Sequence, residues 1–122
     1  MRVPLMLSTF LALTAFSASG GEQLKIVVSP AQSFAPSNLH IRARVVPHAE
    51  NRVLEIIAES GEFYRSSQIT LEGERAPATI AFEFRGVPGG EYRVSGVLTD
   101  SVGRRRAIAE QEVRVIPSGL GQ

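Results

Sequence analysis

Cysteine and tryptophan do not occur among the 122 residues, and lysine and aspartate occur once each. Without cysteine the chain can hold no disulfide framework, thiol nucleophile or cysteine-ligated zinc ion. Its charged residues are 12 arginines with Lys25, and 11 glutamates with Asp100. A calcium loop needs clustered Asp, Asn and Glu oxygens, so a chain with one aspartate is a poor candidate. The preference for arginine and glutamate is compatible with a GC-rich bacterial genome.

Recognisable catalytic motifs are also missing. The sequence contains no Gly-x-Ser-x-Gly, no glycine-rich phosphate loop and no His-Glu-x-x-His. His40 and His48 could bind a divalent metal with Glu50 as a third ligand, but their spacing matches no metal site. Surface histidines without a shared ligand are the ordinary interpretation. We therefore expect no metal, no cofactor and no enzymatic activity.

The N-terminus has the three-part layout of a secretory signal peptide. Arg2 gives a positive start, Val3 to Phe16 are mainly apolar, and small residues run from Ser17 to Gly21. The apolar run is shorter than the roughly 20 residues that a membrane span needs. The alternative is a hydrophobic N-terminal helix packed on the domain. We expect a signal peptide over residues 1–20, cut after Gly20 or Ser19, and a bacterial protein that is periplasmic or secreted without a membrane anchor.

The rest of the chain predicts one domain over residues 21–116, with a short polar tail over 117–122. Removing Arg2 leaves 12 basic and 12 acidic residues. A neutral chain gives no bulk electrostatic reason to expect binding to nucleic acid or to an anionic membrane.

Alternation of apolar and polar residues predicts strands throughout this domain. Four segments alternate clearly, and their inward residues are Leu24, Ile26 and Val28; Leu39, Ile41, Ala43 and Val45; Ile80, Phe82 and Phe84; and Tyr92, Val94, Gly96 and Leu98. Pro30 is expected to end the first strand, and Ser95 is expected to face outward. In the last strand Ile108 has one parity and Val113 the other, which predicts a bulge near Glu110 or Gln111.

Residues 52–60 fit either a helix or a strand. Val53, Ile56 and Ile57 have helical spacing, whereas Leu54, Ile56 and Ala58 would share one face of a strand. The segment is short for a helix and rich in β-branched residues, so we favour a strand. Residues 63–71 are predicted to add one or two more. About seven strands favour an antiparallel β-sandwich, and a closed oligonucleotide-binding barrel, which usually has fewer and longer strands, is the alternative.

The turn over residues 86–90 leads into a short motif, Gly90-Glu91-Tyr92-Arg93-Val94. Its Gly-x-Tyr-x-Val pattern, with a turn at Asp100 to Gly103 and a last strand, resembles immunoglobulin-like and fibronectin-III-like domains of exported bacterial proteins. The antibody-type Cys and Trp are missing, so the resemblance is one of architecture. It implies a sandwich used for spacing, docking or ligand display. Tyr92 has the inward parity, which favours a core tyrosine whose hydroxyl bonds to nearby backbone.

Two groups of residues are candidates for binding. Arg104 and Arg106 would share a strand face, and beside Arg93 they could form a basic patch for a carboxylate, a phosphate or an acidic polysaccharide. The ordinary interpretation is a solvated strand start whose charges discourage edge pairing. Tyr64 and Arg65 are a second candidate contact, because tyrosine and arginine are common interface anchors.

These observations predict an exported, non-catalytic immunoglobulin-like domain that binds another envelope or extracellular protein, or an acidic ligand. The sequence does not specify the partner or the oligomeric state. One alternative is a structural spacer or assembly subunit. A second is a histidine-based metal protein or enzyme.

Overall fold

The structure, a computed structural model, describes residues 23–118. The expected signal peptide and the last four residues of the predicted tail lie outside the described residues. The described chain forms eight strands and one short 3₁₀ turn. Their bounds are β1 Leu24–Ser29, β2 Gln32–Phe34, β3 Ser37–Val45, β4 Val53–Glu59, β5 Tyr64–Thr70, the 3₁₀ turn Gly73–Arg75, β6 Thr79–Val87, β7 Gly90–Thr99 and β8 Arg105–Ile116.

The strands form two sheets that pack face to face. The small sheet has the order β1-β3-β6, and the large sheet has the order β2-β8-β7-β4-β5. Neighbouring strands are antiparallel except β2 and β8, which are parallel. The predicted antiparallel sandwich is therefore confirmed. No helix in residues 23–118 has the length and hydropathy needed to cross a bilayer.

The chain crosses between the sheets directly after its first strand. β1 ends at Ser29, before Pro30 as predicted, and the chain resumes as β2 in the large sheet. The sequence predicted about seven strands because β2 has only three residues, too few for an alternating pattern, and lies between Pro30 and Pro36.

The ambiguous segment before residue 60 is a strand, as favoured. Leu54, Ile56 and Ala58 of β4 are fully buried, and their neighbours in sequence face the other side of the sheet. Residues 64–70 form one strand, β5, at the edge of the large sheet.

The bulge predicted near Glu110 or Gln111 is wrong. β8 pairs with β7 without interruption from Ala107 to Val115, and the irregularity lies at the start of the strand, opposite Thr99. Ile108 consequently faces outward, opposite Val97, and Gln111 faces the interior. Glutamine suits this inward position because its side-chain amide forms hydrogen bonds with both backbone polar groups of Val28 in β1. Its Nε2 donates to the Val28 carbonyl at 3.1 Å, and its Oε1 accepts from the Val28 N–H at 2.9 Å.

Tyr92 is the largest fully buried side chain of the core. Its hydroxyl donates to the Pro88 carbonyl at 2.7 Å, and its ring meets Phe63 edge-on, with centroids 5.7 Å apart. The predicted core role of Tyr92 is confirmed, and burial raises the pKa of its hydroxyl. Ser95 lies on the outer face as predicted, but it is 6% exposed because it sits in the middle of the large sheet between Ile57 and Glu110.

Candidate functional site

The structure does not bring Arg93, Arg104 and Arg106 into one patch. Arg93 lies on the outer face of the large sheet, directly between Glu59 of β4 and Glu112 of β8. Arg104 and Arg106 lie at the opposite end of β7. Arg93 and Thr99, at the end of β7 nearest Arg104, lie six positions apart, which is roughly 20 Å at 3.3 Å per residue.

Arg104 belongs to the turn that joins β7 and β8. The carboxylate of Asp100 accepts hydrogen bonds from the backbone N–H of Val102 at 3.0 Å and of Arg104 at 2.8 Å. The Arg104 guanidinium lies 3.3 Å from the same carboxylate and stays largely exposed. These bonds, chiefly that from the Arg104 N–H, lower the pKa of Asp100. Arg104 therefore has a local role in closing the turn.

Arg106 is half-buried and supports a loop. Its guanidinium donates to the Asn51 side-chain oxygen at 2.7 Å. Asn51 is 1% exposed, and its side-chain nitrogen donates to the Val46 carbonyl at 3.0 Å. Arg106 thus provides a hydrogen-bond partner for a buried side-chain amide. The interpretation of this position as a solvated strand start is therefore wrong for Arg106.

Tyr64 and Arg65 point to opposite sides of β5. Tyr64 is 62% exposed on the outer face of the large sheet, in line with Glu59 and Arg93. Arg65 instead covers the Phe63 ring at 5.1 Å and donates to the Arg85 carbonyl of β6 at 2.7 Å. Of the predicted binding residues, only Tyr64 and Arg93 share a surface.

A different set of basic residues is gathered on the outer face of the small sheet. Lys25 of β1 lies directly opposite Arg44 of β3, and Arg42 lies one outward position further along β3. Residues two apart on a strand are separated by about 7 Å, and residues paired across strands by about 5.5 Å. No carboxylate in residues 23–118 lies within 4.0 Å of these three cations. We call Lys25, Arg42 and Arg44 the cationic face.

Apolar groups adjoin the cationic face. Val27, opposite Arg42, is 60% exposed, and Ala81 of β6 lies on the other side of Arg42. A cleft of about 340 Å³ opens between Lys25 and Arg44. The cleft is lined further by Val45, Val46, Pro47 and Ala78. A ligand here would meet two cations beside an apolar wall.

The remaining charges of this sheet neutralise one another. Glu83 of β6 lies 3.4 Å from the Arg85 guanidinium and 3.8 Å from the His40 imidazole. The positive charge is therefore concentrated at the end of the sheet that carries Lys25 and Arg44.

The outer face of the large sheet has the opposite sign. The three central strands of this sheet carry four outward glutamates, Glu55 and Glu59 on β4 and Glu110 and Glu112 on β8, and Arg93 of β7 lies between Glu59 and Glu112. We call these four glutamates the acidic face. Ile57, Val97 and Ile108 form a half-buried apolar strip among them. At the borders, Glu91 pairs with Arg114 at 3.0 Å, and Arg105 lies beside Thr99.

The predicted alternation of β3, with Leu39, Ile41, Ala43 and Val45 inward, implies that Arg42 and Arg44 face outward, but it does not identify the cationic face. Both residues alternate with the apolar residues of β3, so their orientation was readable. Lys25 joins them only because β1 pairs with β3 in this register, across 19 residues of sequence. Overall neutrality concealed the cationic face, since acidic residues elsewhere in the chain balance its charge.

No protein family and no curated protein sequence matches the chain. Solved structures are similar in fold. A PKD domain of an M14-like peptidase from a Thermoplasmatales archaeon aligns with a TM-score of 0.54 at 15% identity, over 79% of this chain and 94% of that domain. A CARDB domain from Pyrococcus furiosus, solved in complex with di-metal ions, aligns with a TM-score of 0.50 at 12% identity, over 79% and 93%.

A variant of superoxide reductase (neelaredoxin) from Ignicoccus hospitalis has a TM-score of 0.53 at 15% identity, over 83% of each chain. Similarity at this level of identity establishes the architecture only. The chain is an immunoglobulin-like β-sandwich, and the comparisons do not single out the fibronectin-III type.

Proposed function

We propose that this chain is a non-catalytic accessory domain of a bacterial envelope or exported protein, and that it binds an anionic partner through its cationic face. One observation carries the proposal: Lys25, Arg42 and Arg44 are gathered on one sheet without a neutralising carboxylate among residues 23–118. Arginine suits this role because its planar guanidinium binds carboxylate, phosphate and sulfate groups through paired hydrogen bonds.

The electrostatic cost of this cluster is small in the free protein. Two like charges about 6 Å apart in water repel by roughly 0.7 kcal/mol, and salt reduces this further. Attraction to a partner's anions has the same modest size for each pair. Binding should therefore depend on several contacts made together, and it should weaken as salt is added.

Support for a non-catalytic role comes from the histidines and carboxylates. His40 approaches Glu83, and the His48 Nδ1 accepts a hydrogen bond from the Glu50 N–H at 2.9 Å. These are separate local contacts. Within residues 23–118 no three His, Asp or Glu side chains are grouped closely enough to hold a metal ion.

Two variants with equal charge test the proposal. In the first, Lys25→Gln, Arg42→Gln and Arg44→Gln are combined; in the control, Arg93→Gln, Arg104→Gln and Arg105→Gln are combined. Each removes three positive charges from exposed positions. The control also removes Arg93 and Arg104, which the sequence proposed as binding residues. The measurement is binding of the purified mature protein to immobilised polygalacturonate and dextran sulfate, over a range of sodium chloride concentrations.

We expect the wild type and the control to bind with strong salt dependence, and the first variant to bind at least about tenfold more weakly. Equal losses in the two variants would show that only net charge matters. A wild type that at low salt binds neither polyanion and no acidic protein surface would also contradict the proposal.

A further inference from the structure

We propose that the anionic partner of the cationic face is the acidic face of a second copy of this chain, so that copies stack head to tail. This inference rests on the proposed function, because it names the partner of the same surface. Charge complementarity carries it. The cationic face has a charge of +3. The charged residues on the outer face of the large sheet sum to −2, because Glu91 and the four glutamates of the acidic face outweigh Arg93, Arg105 and Arg114.

Apolar residues on both faces favour a protein partner over a polysaccharide. Val27 projects from the cationic face and is 60% exposed. The acidic face offers the strip of Ile57, Val97 and Ile108, bordered by Tyr64. Protein interfaces combine apolar and aromatic contacts with a polar rim, and both faces carry apolar residues beside charged ones.

The geometry fixes the kind of assembly. The two faces lie on opposite sides of the sandwich, since one belongs to each sheet. A contact between them is therefore heterologous: each copy that joins still presents one free face of each sign. Growth is linear unless the rotation between copies closes a ring. The small sheet has only three strands, so each contact is small, and its affinity should be low and sensitive to salt.

Charge reversal on each face gives a sharp test. One variant, Lys25→Glu with Arg42→Glu and Arg44→Glu, is acidic on both sides. A second, Glu59→Lys with Glu110→Lys and Glu112→Lys, is basic on both sides. The control carries the same three Glu→Lys changes on neither face, at Glu62, Glu72 and Glu74. Thermal melts establish that each variant is folded, and sedimentation velocity at low and high salt measures association.

We expect the wild type and the control to associate at low salt and to dissociate at high salt. Each face variant alone should remain monomeric, and an equimolar mixture of the two should associate again, because each supplies the sign that the other lacks. A mixture that stays monomeric would overturn the inference, as would a face variant that associates like the wild type.

The polyanion experiment separates this inference from the proposed function. If the wild type is monomeric at millimolar concentration and low salt yet binds polygalacturonate through the cationic face, the partner is not a second copy and the proposed function stands. If it neither associates nor binds a polyanion, both are wrong.

Discussion

Replacing Gln111 should destabilise the domain although the residue is neither apolar nor fully buried. Its amide is the partner of both backbone polar groups of Val28, which point away from β3. In β1 the hydrogen bonds to β3 are made by the odd-numbered residues, as the bond from the Val46 N–H to the Gln23 carbonyl shows. Val28 itself is 2% exposed, so water has little access to the groups that Gln111 would leave behind.

The size of the effect follows from those two groups. An unpaired buried donor or acceptor costs about 1–3 kcal/mol. Because Gln111 is half-buried, we take the lower part of that range for each group and expect Gln111→Met to lose about 2–3 kcal/mol. In a domain of this size that corresponds to a drop in Tm of roughly 8–24 °C. Methionine keeps the length of the side chain, so loss of packing contributes little.

The assay is urea unfolding of Gln111→Met beside Gln68→Met, the same chemical change at an exposed position of β5. We expect the control to stay within about 0.5 kcal/mol of the wild type. Amide exchange at Val28 should accelerate only in the Gln111 variant. If the two variants unfold alike and the Val28 amide stays protected, the amide bridge does not stabilise the fold.

Gln111→Glu extends the test through pH. An ionised carboxylate accepts from the Val28 N–H but has no proton for the Val28 carbonyl. The protonated acid supplies both a donor and an acceptor. Stability relative to the wild type should therefore recover as pH falls through the carboxyl pKa, and a constant difference would contradict the reasoning.

Three further perturbations test other contacts. Tyr92→Phe keeps the buried ring but leaves the turn carbonyl unpaired and should cost about 1–3 kcal/mol in urea unfolding, whereas an unchanged midpoint would show that the hydroxyl bond is dispensable. Arg106→Ala should cost a similar amount because it removes the hydrogen-bond partner of buried Asn51. The control Arg105→Ala, at the exposed neighbouring position, should change stability by about 0.5 kcal/mol or less. Equal effects of the two variants would show that Arg106 does not support the loop that contains Asn51. Folding lowers the pKa of Asp100, so the stability that its carboxylate contributes is present above the unfolded pKa of about 3.9 and is lost as pH falls. In melting experiments Asp100→Asn should therefore differ from the wild type at pH 7 and converge with it near pH 2.

The strands could be predicted from the sequence because alternation reports local burial. β3 and β7 follow the predicted parity at nearly every position. The side chain of Gln111 could not be placed in this way, since a polar residue on an inward position imitates a bulge until its partner on β1 is known. Arg106 was misread for a related reason: the buried amide of Asn51 lies 55 residues away. The supporting role of Arg106 therefore cannot be recognised from the residues close to it in the sequence.

The candidate surface was harder to predict than the fold. Strand parity gives the side of a sheet on which Arg42 lies, but it does not tell which strand lies next to it. The register of β1 on β3 and of β7 on β8 decides which charges are neighbours. Composition reports only their sum, which is zero for the predicted mature chain.

The chain passes from β1 in the small sheet to β2 in the large sheet, and this has a mechanical consequence. β1 and β2 run alongside β8 in the same direction, so Leu24 and Ile116 lie at opposite ends of the sandwich, roughly 30 Å apart. A pull on these two positions would act along the strands and across their hydrogen bonds. The β1–β3 ladder and the short β2–β8 ladder would then be strained in shear, so that the hydrogen bonds of each ladder share the force instead of opening one at a time. A domain tethered at both ends in this way would resist extension.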